Sequence, residues 1–432
     1  MKQKNIAYFT LGCKLNFSET SYIAKKLEEE GYNQVSFDET ADYYLIHTCT
    51  VTQAADRKSR QLIRKIGRKN PEAVIVAMGC YAQVKPEELS SIGEVDIILG
   101  TAEKFNLGSY LKNFKKGQPH TINISPIEEA NTFNPAYSGS DRTRSFLKIQ
   151  DGCDYTCTYC TIPLARGKNR SSYIKDIVLQ ARNIAGKGVK EIILTGVNIG
   201  DFGKLTGESF LDLLKELDKV QGINRFRISS IEPNLLEDNI IHFAARSKRI
   251  APHFHIPLQS GSDRILKLMQ RRYTTDLFQK RIYSIRKAIP DAGIGVDVIT
   301  GFPGETDNDF TQTYEFLDQL DISYLHVFTY SDRNNTKAAI MRDKVNPATK
   351  EKRSQLLHEL SEKKRIAFYS NQTGKIVSAL FEAKKYNGRM TGYTENYIKV
   401  EKPFDIDDIG SVLKVKLLDI NEIGNVNVEV IE

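Results

Sequence analysis

The sequence predicts an α/β protein of three parts: an open parallel sheet, a partial (β/α)6 barrel of TIM type, and a small antiparallel β-barrel. Three observations predict it. Strand-length apolar runs alternate with helical stretches from residue 1 to about 110, the alternation resumes at 144 through six strand–helix units, and the last sixty residues are short β-rich runs without helical period.

In the first part the apolar runs are Ile6–Thr10, Tyr43–His47, Val74–Ala77 and Ile97–Leu99. Ser18 to Gly31 reads as a helix with Ser18 as N-cap and Gly31 as stop, and Thr52 to Lys69 as another. Residues 112–143 are polar, hold three prolines and read as a linker with one edge strand. The barrel strands are Phe146–Ile149, Glu191–Leu194, Phe226–Ser229, His253–Ile256, Gly295–Thr300 and Tyr324–Thr329, and a charged helix, Pro347 to Ser370, follows. The closing runs are Ile376–Phe381, Gly392–Val400, Ser411–Leu418 and Asn425–Ile431. The expected domains are therefore 1–111, a linker 112–143, 144–370 and 371–432.

The composition, 40% hydrophobic and 27% charged, is that of a soluble globular chain. No apolar run approaches the ~18–20 residues that span a bilayer, and the N-terminal run is too short for a signal peptide. The expected location is the cytoplasm, with no membrane partner. A net charge of +7 is compatible with a polyanionic partner without requiring one.

The six cysteines are Cys13, Cys49, Cys80, Cys153, Cys157 and Cys160. In a reducing compartment they are thiols, metal ligands or catalysts rather than a disulfide framework. Cys153, Cys157 and Cys160 follow the first barrel strand on one loop. Three thiolates can hold three irons of a [4Fe–4S] cube, leaving the fourth open. A zinc site, which wants four ligands, is the alternative. Cys13, Cys49 and Cys80 each follow a strand of the N-terminal sheet. The C-terminal ends of parallel strands share one edge, so these three are expected to converge and to form a second open site. His47 could complete a zinc site there, but it lies within its strand.

The spacing C-x3-C-x2-C, with Tyr159 before the last cysteine, resembles the radical S-adenosylmethionine superfamily, whose partial barrel matches residues 144–330. The resemblance implies that S-adenosylmethionine chelates the open iron and is cleaved to a 5′-deoxyadenosyl radical. It places Tyr159 near the adenine, Thr195 and Gly196 at the methionine amino group, Ser229 and Glu232 near the ribose, and Gly301 in the adenine pocket. No residue stands out as catalytic beyond the cysteines.

The segments Thr10-Leu11-Gly12-Cys13-Lys14-Leu15-Asn16, His47-Thr48-Cys49-Thr50-Val51-Thr52 and Met78-Gly79-Cys80-Tyr81-Ala82-Gln83 resemble the methylthiotransferase family, as does His255-Ile256-Pro257-Leu258-Gln259-Ser260-Gly261-Ser262. His47 departs from the asparagine expected before Thr-Cys. The C-terminal barrel resembles that family's TRAM domain. The resemblance implies two [4Fe–4S] clusters, one carrying the sulfur that is methylated and inserted at an unactivated carbon, and a low-potential donor of flavodoxin or ferredoxin type. Residues 13–16 and 49–60 are closest to the branch acting on N6-threonylcarbamoyladenosine of tRNA, so the expected partner is the tRNA anticodon stem-loop. Arg57, Lys58, Arg60, Arg64, Lys65, Arg68 and Lys69 make one helix strongly basic, which suits phosphate contacts. Residues 371–432 hold 8 basic and 10 acidic residues, yet Lys384, Lys385, Tyr386, Arg389, Tyr393, Tyr397 and Lys399 mix charge with aromatics as base-stacking surfaces do. The tyrosines could equally be core residues. Another tRNA adenosine or a ribosomal protein is the alternative substrate. A non-enzymatic iron–sulfur or zinc nucleic-acid-binding protein is the alternative from another class.

Overall fold

The computed structural model describes residues 3–139 and 143–431. Its first unit is a six-stranded sheet of β1 (Asn5–Thr10), β2 (Asn33–Val35), β3 (Tyr43–Thr48), β4 (Val74–Gly79), β5 (Ile97–Leu99) and β6 (Thr121–Asn123). The order is β2-β1-β3-β4-β5-β6 and every pairing is parallel. β3 and β4 are buried at every position because apolar cores cover both faces, which is why they read as unbroken apolar runs.

One expectation changes here. The first helix runs Lys14–Glu29 with Cys13 as N-cap, not Ser18. Ser18 Oγ donates to the Leu15 carbonyl, so it is spent inside the first turn. The second helix, Gln53–Lys69, is capped by Thr52, whose side chain accepts from the Ala55 amide. The edge strand expected within 112–143 is Thr121–Asn123, which pairs with β5.

The central unit contains β7 (Arg144–Lys148), β8 (Gln150–Asp151), β9 (Arg170–Ser171), β10 (Glu191–Thr195), β11 (Arg225–Ile228), β12 (His253–Gln259), β13 (Gly293–Thr300) and β14 (Tyr324–Thr329). β11-β10-β7 and β12-β13-β14 form two parallel sheets, joined by the bridges Phe226↔Ile250 and Ser230↔His255. Among the described residues no ladder joins β7 to β14, so the barrel has a lateral seam. The small β8–β9 pair escaped the sequence because two-residue strands carry no period. Ile192, Leu194, Phe226, Ile228, Phe254, Ile256, Val296 and Val298 pack outward against the helices. Most of their alternates turn inward and are polar: Glu191, Arg225, Arg227, His253, His255, Asp297, Tyr324 and His326. A polar lumen is costly to seal without a ligand or a plug.

The C-terminal unit is a closed barrel of β15 (Ile376–Tyr386), β16 (Arg389–Thr394), β17 (Lys399–Pro403), β18 (Val412–Ile420) and β19 (Val426–Val430). It is not wholly antiparallel, since the pair β17–β19 is parallel. The run Gly392–Val400 is not one strand either. It breaks at Glu395-Asn396-Tyr397, where Tyr397 adopts φ +72°.

That turn plugs the floor of the central barrel. Tyr397 stacks on Tyr393 at 4.8 Å and lies 4.5 Å from the His253 ring. The Arg144 and Arg227 guanidinium groups each sit 4.8 Å from a tyrosine ring, Tyr393 and Tyr397 respectively. Arg227 donates to the Glu395 carbonyl at 2.9 Å and Arg225 to the Tyr393 carbonyl at 2.7 Å, while Glu191 holds both guanidinium groups from below. A Cβ on Gly293 would fall 2.1 Å from the Asn396 carbonyl oxygen, so the approach requires glycine. Tyr393 and Tyr397 therefore dock domains together and are not free to stack RNA bases. Tyr397→Ala should cost on the order of 2 kcal/mol, from lost stacking and cation–π contacts. Limited proteolysis checks it: cleavage around residues 371–375 should accelerate relative to wild type.

Candidate active site

The sheet register places the dispersed cysteines. Thr10 pairs with His47 and Thr48 with Gly79, so Cys49 and Cys80 stand side by side one residue beyond the ladder. Adjacent strands lie about 4.8 Å apart. Cys13 reaches the same edge through Gly12, at φ +103°, where an added Cβ would lie 2.8 Å from Cys49 Cβ. Asn16 Nδ2 ties the loops together by donating to the Leu11 and Thr48 carbonyls, at 2.8 and 3.2 Å. Burial, then the neighbouring Cys80 and Cys13, pushes the Cys49 thiol up to about 12. Burial also raises Cys80. Thiols in this state become thiolates only when a cation joins them.

Cys153, Cys157 and Cys160 sit on the loop after β8. The loop is fixed by the Cys153 amide donating to the Gly167 carbonyl at 3.0 Å. The Tyr155 and Ile162 amides donate to Cys153 Sγ and Cys160 Sγ at 3.4 and 3.5 Å. Burial is the main cause that pushes Cys153 and Cys160 up to about 12 and raises Cys157. A single zinc would hold its sulfurs about 3.8 Å apart, from bonds of about 2.3 Å. Among the described residues the three-ligand group with all donor atoms within 4.8 Å is His255, Asp297 and His326, and neither cysteine trio is so tight. Wider sulfur spacing suits a four-iron cube, in which each thiolate binds a different iron.

A buried ionic network ties the N-terminal sheet domain to the barrel. Glu19 accepts from Lys104 at 2.7 Å, Lys148 at 2.8 Å and both Arg166 terminal nitrogens at 3.1 Å. Asp151 binds Arg166 at 2.9 Å, Lys148 at 2.7 Å and Arg170 at 3.0 Å. Arg166 also donates to Asn16 Oδ1 at 2.6 Å. Glu19, Lys104, Lys148 and Arg166 are 0–1% exposed. Two carboxylates face four cations, and the surplus positive charge lies beside Cys13 and Cys80. An anionic thiolate-ligated cluster would balance it. His47 belongs to this network and not to a ligand set: its Nδ1 is 2.9 Å from Thr20 Oγ1 and its Nε2 is 3.7 Å from Glu19.

Of the residues expected at S-adenosylmethionine, some meet and others do not. Arg271 donates to Cys157 Sγ at 3.1 Å and to the Tyr159 hydroxyl at 3.3 Å, and it pairs with Glu232. Tyr159 packs edge-on against Phe302, next to Gly301. Gly301, at φ +73°, donates its amide to Glu305 at 2.7 Å. Thr195 and Gly196 end β10 some way round the rim, where Gln150 Oε1 accepts from the Val197 and Asn198 amides at 2.8 Å each. A Cβ on Gly196 would meet that oxygen at 2.7 Å, which explains the glycine. Ser229 lies one residue beyond β11. Arg271 and Gln150 were missed by sequence reasoning. Neither stands in a strand-end glycine motif, and only tertiary packing brings Arg271 to the cysteine loop.

An open-seamed barrel with a three-cysteine loop above its first strand defines a radical S-adenosylmethionine enzyme. Residues 147–317 match the family described as Radical SAM superfamily, and residues 5–100 match Uncharacterized protein family UPF0004. The chain is 42% identical over 423 residues to the threonylcarbamoyladenosine tRNA methylthiotransferase MtaB of Bacillus subtilis, covering 96% of this chain and 93% of that one. It is 40% identical to the MtaB of Aquifex aeolicus, covering 95% and 99%. It is 32% identical to the tRNA-2-methylthio-N(6)-dimethylallyladenosine synthase of Acetivibrio thermocellus, covering 96% and 89%. Among solved structures, the radical S-adenosylmethionine methyltransferase TsrM of Kitasatospora setae superposes with a TM-score of 0.57 at 12% identity, covering 90% of this chain and 80% of that one; the likeness is one of fold. The chain belongs to the radical S-adenosylmethionine methylthiotransferase family. It is a transferase that uses S-adenosylmethionine and [4Fe–4S] clusters.

Proposed function

We propose that this chain converts N6-threonylcarbamoyladenosine, beside the tRNA anticodon, to its 2-methylthio derivative. One observation carries the reading: the fold assembles two separate trios of thiols, Cys13, Cys49 and Cys80 along one sheet edge and Cys153, Cys157 and Cys160 on one barrel loop, in domains tied together by a buried ionic network. Cys153, Cys157 and Cys160 would hold one cluster and Cys13, Cys49 and Cys80 the other. When bound, the clusters and S-adenosylmethionine supply the radical, the sulfur and the methyl group. Arg271 fixes the Glu232 carboxylate and the Tyr159 hydroxyl beside Cys157, which orients the pocket for S-adenosylmethionine. The floor plug of Tyr393 and Tyr397 keeps bulk water from the interior below. A low-potential flavodoxin- or ferredoxin-type donor supplies the electron.

The anticodon stem-loop approaches over the helix Gln53–Lys69, whose start is docked to the loop after β14 through Gln53 and Ser331 at 3.2 Å. On that helix Arg60 is engaged by Tyr81 and Glu88, and Arg68 by Glu94. Arg57, Lys58, Arg64 and Lys65 have no ion-pair partner among the described residues and are the cations available to phosphate. Nucleoside mass spectrometry of tRNA from cells lacking this chain tests the reading. Loss of 2-methylthio-N6-threonylcarbamoyladenosine, with its precursor retained, is expected; unchanged tRNA would overturn it.

A further inference from the structure

Among the described residues, each cationic side chain of the barrel interior except one has a carboxylate in direct contact. Arg144 pairs with Glu382 at 2.6 Å, Arg225 and Arg227 share Glu191, and His255 Nε2 engages Asp297 at 2.6 Å. The exception is Lys14. It is the first residue of the helix Lys14–Glu29, which packs along β7 at the seam. Lys14 is half-buried, and its ammonium makes no hydrogen bond or ion pair among the described residues. The charges that act on it are Arg144 and Arg227, then the carboxylates Glu191 and Asp297, and it acts in turn on His253 and His326, all of them on barrel strands. Lys14 thus extends from the edge that carries Cys13 into the space that any substrate between the two trios must enter.

A half-buried ammonium with two guanidinium groups nearby and no carboxylate in direct contact is poised for an anion. The proposed substrate offers one. A threonylcarbamoyl substituent carries a carboxylate, a hydroxyl and urea N–H groups, whereas a dimethylallyl substituent is wholly apolar. We propose that Lys14 receives the carboxylate of the N6 substituent, with the His255–Asp297 pair and His326 facing its hydroxyl and urea groups, so that Lys14 selects an anionic substituent over an apolar one. This assignment rests on the reaction proposed above and adds the group that discriminates.

The test uses the full-length, iron-reconstituted protein and three anticodon stem-loop RNAs. These carry N6-threonylcarbamoyladenosine, its methyl ester, or N6-dimethylallyladenosine. A hydrogen bond between charged partners contributes about 10- to 100-fold in affinity. Wild type should bind the free acid about 10- to 100-fold more tightly than the ester. Lys14→Met should bind acid and ester alike, and Lys14→Arg should restore part of the preference. A merely structural role would weaken both RNAs equally and leave their ratio intact, so the ratio is the readout. Wild type binding acid and ester equally, or Lys14→Met keeping the wild-type ratio, would overturn the role of Lys14 alone. Wild type that leaves the threonylcarbamoyl RNA unmodified, while methylthiolating the dimethylallyl RNA, would overturn the proposed reaction and the role of Lys14 with it.

Discussion

Cys157→Ala and Cys80→Ala should each keep about half of the roughly eight irons expected from two four-iron cubes, yet fail in different ways. Cys157 lies in the loop beside Tyr159, Glu232 and Arg271, so its loss should abolish 5′-deoxyadenosine formation altogether. Cys80 lies on the sheet edge with Cys13 and Cys49, beside the ionic network. Cys80→Ala should still cleave S-adenosylmethionine under reducing conditions, while producing no methylthiolated nucleoside. Iron quantitation and mass spectrometry of both products from one reaction check this. A Cys80→Ala protein with full iron, or a Cys157→Ala protein still forming 5′-deoxyadenosine, would contradict the two-site arrangement.

Glu19→Gln should be among the most destabilising single changes in the chain. The side chain is buried and accepts from three cations that belong to two domains: Lys104 from the N-terminal unit, Lys148 and Arg166 from the barrel. Removing one partner of a buried ion set costs about 3–5 kcal/mol because the other charges stay desolvated. Burial works to raise the Glu19 carboxyl, but Arg166, Lys104 and Lys148 outweigh it and hold it well below 4.5. A depressed carboxyl contributes stability that is complete above its unfolded value. That contribution is lost progressively as pH falls below about 4.5 toward the folded value. Denaturant titrations of wild type and Glu19→Gln should therefore differ most near neutral pH and converge as the solution is acidified. A constant difference down to pH 2 would show that the charge is not the cause.

Chemistry written in local spacing was legible without coordinates. The loop C-x3-C-x2-C, the six strand–helix units and the helix Pro347–Ser370 depend on neighbours in the chain, and the observed elements follow them closely. The C-terminal run Gly392–Val400 was misread because its apolar alternation continues through Tyr397, while the chain turns there to satisfy Arg225 and Arg227 of another domain. The start of the first helix at Cys13 was likewise hidden, since Cys13 makes no side-chain cap and serine, the commoner N-cap, stood nearby as Ser18.

The sequence by itself determined which residue types could bind metal, that they come in two trios, and that strands of a parallel sheet carry one of them. Its period and punctuation are local, and parallel pairing then brings strand ends to one edge whatever the loops contain. Only the tertiary structure decided which charges tie the two domains together, that Arg271 reaches Cys157, that Tyr397 seals the lumen, and that Lys14 has no carboxylate in direct contact among the described residues. Those are contacts between residues tens to hundreds of positions apart, set by how three separately folded cores pack, and no local spacing encodes them.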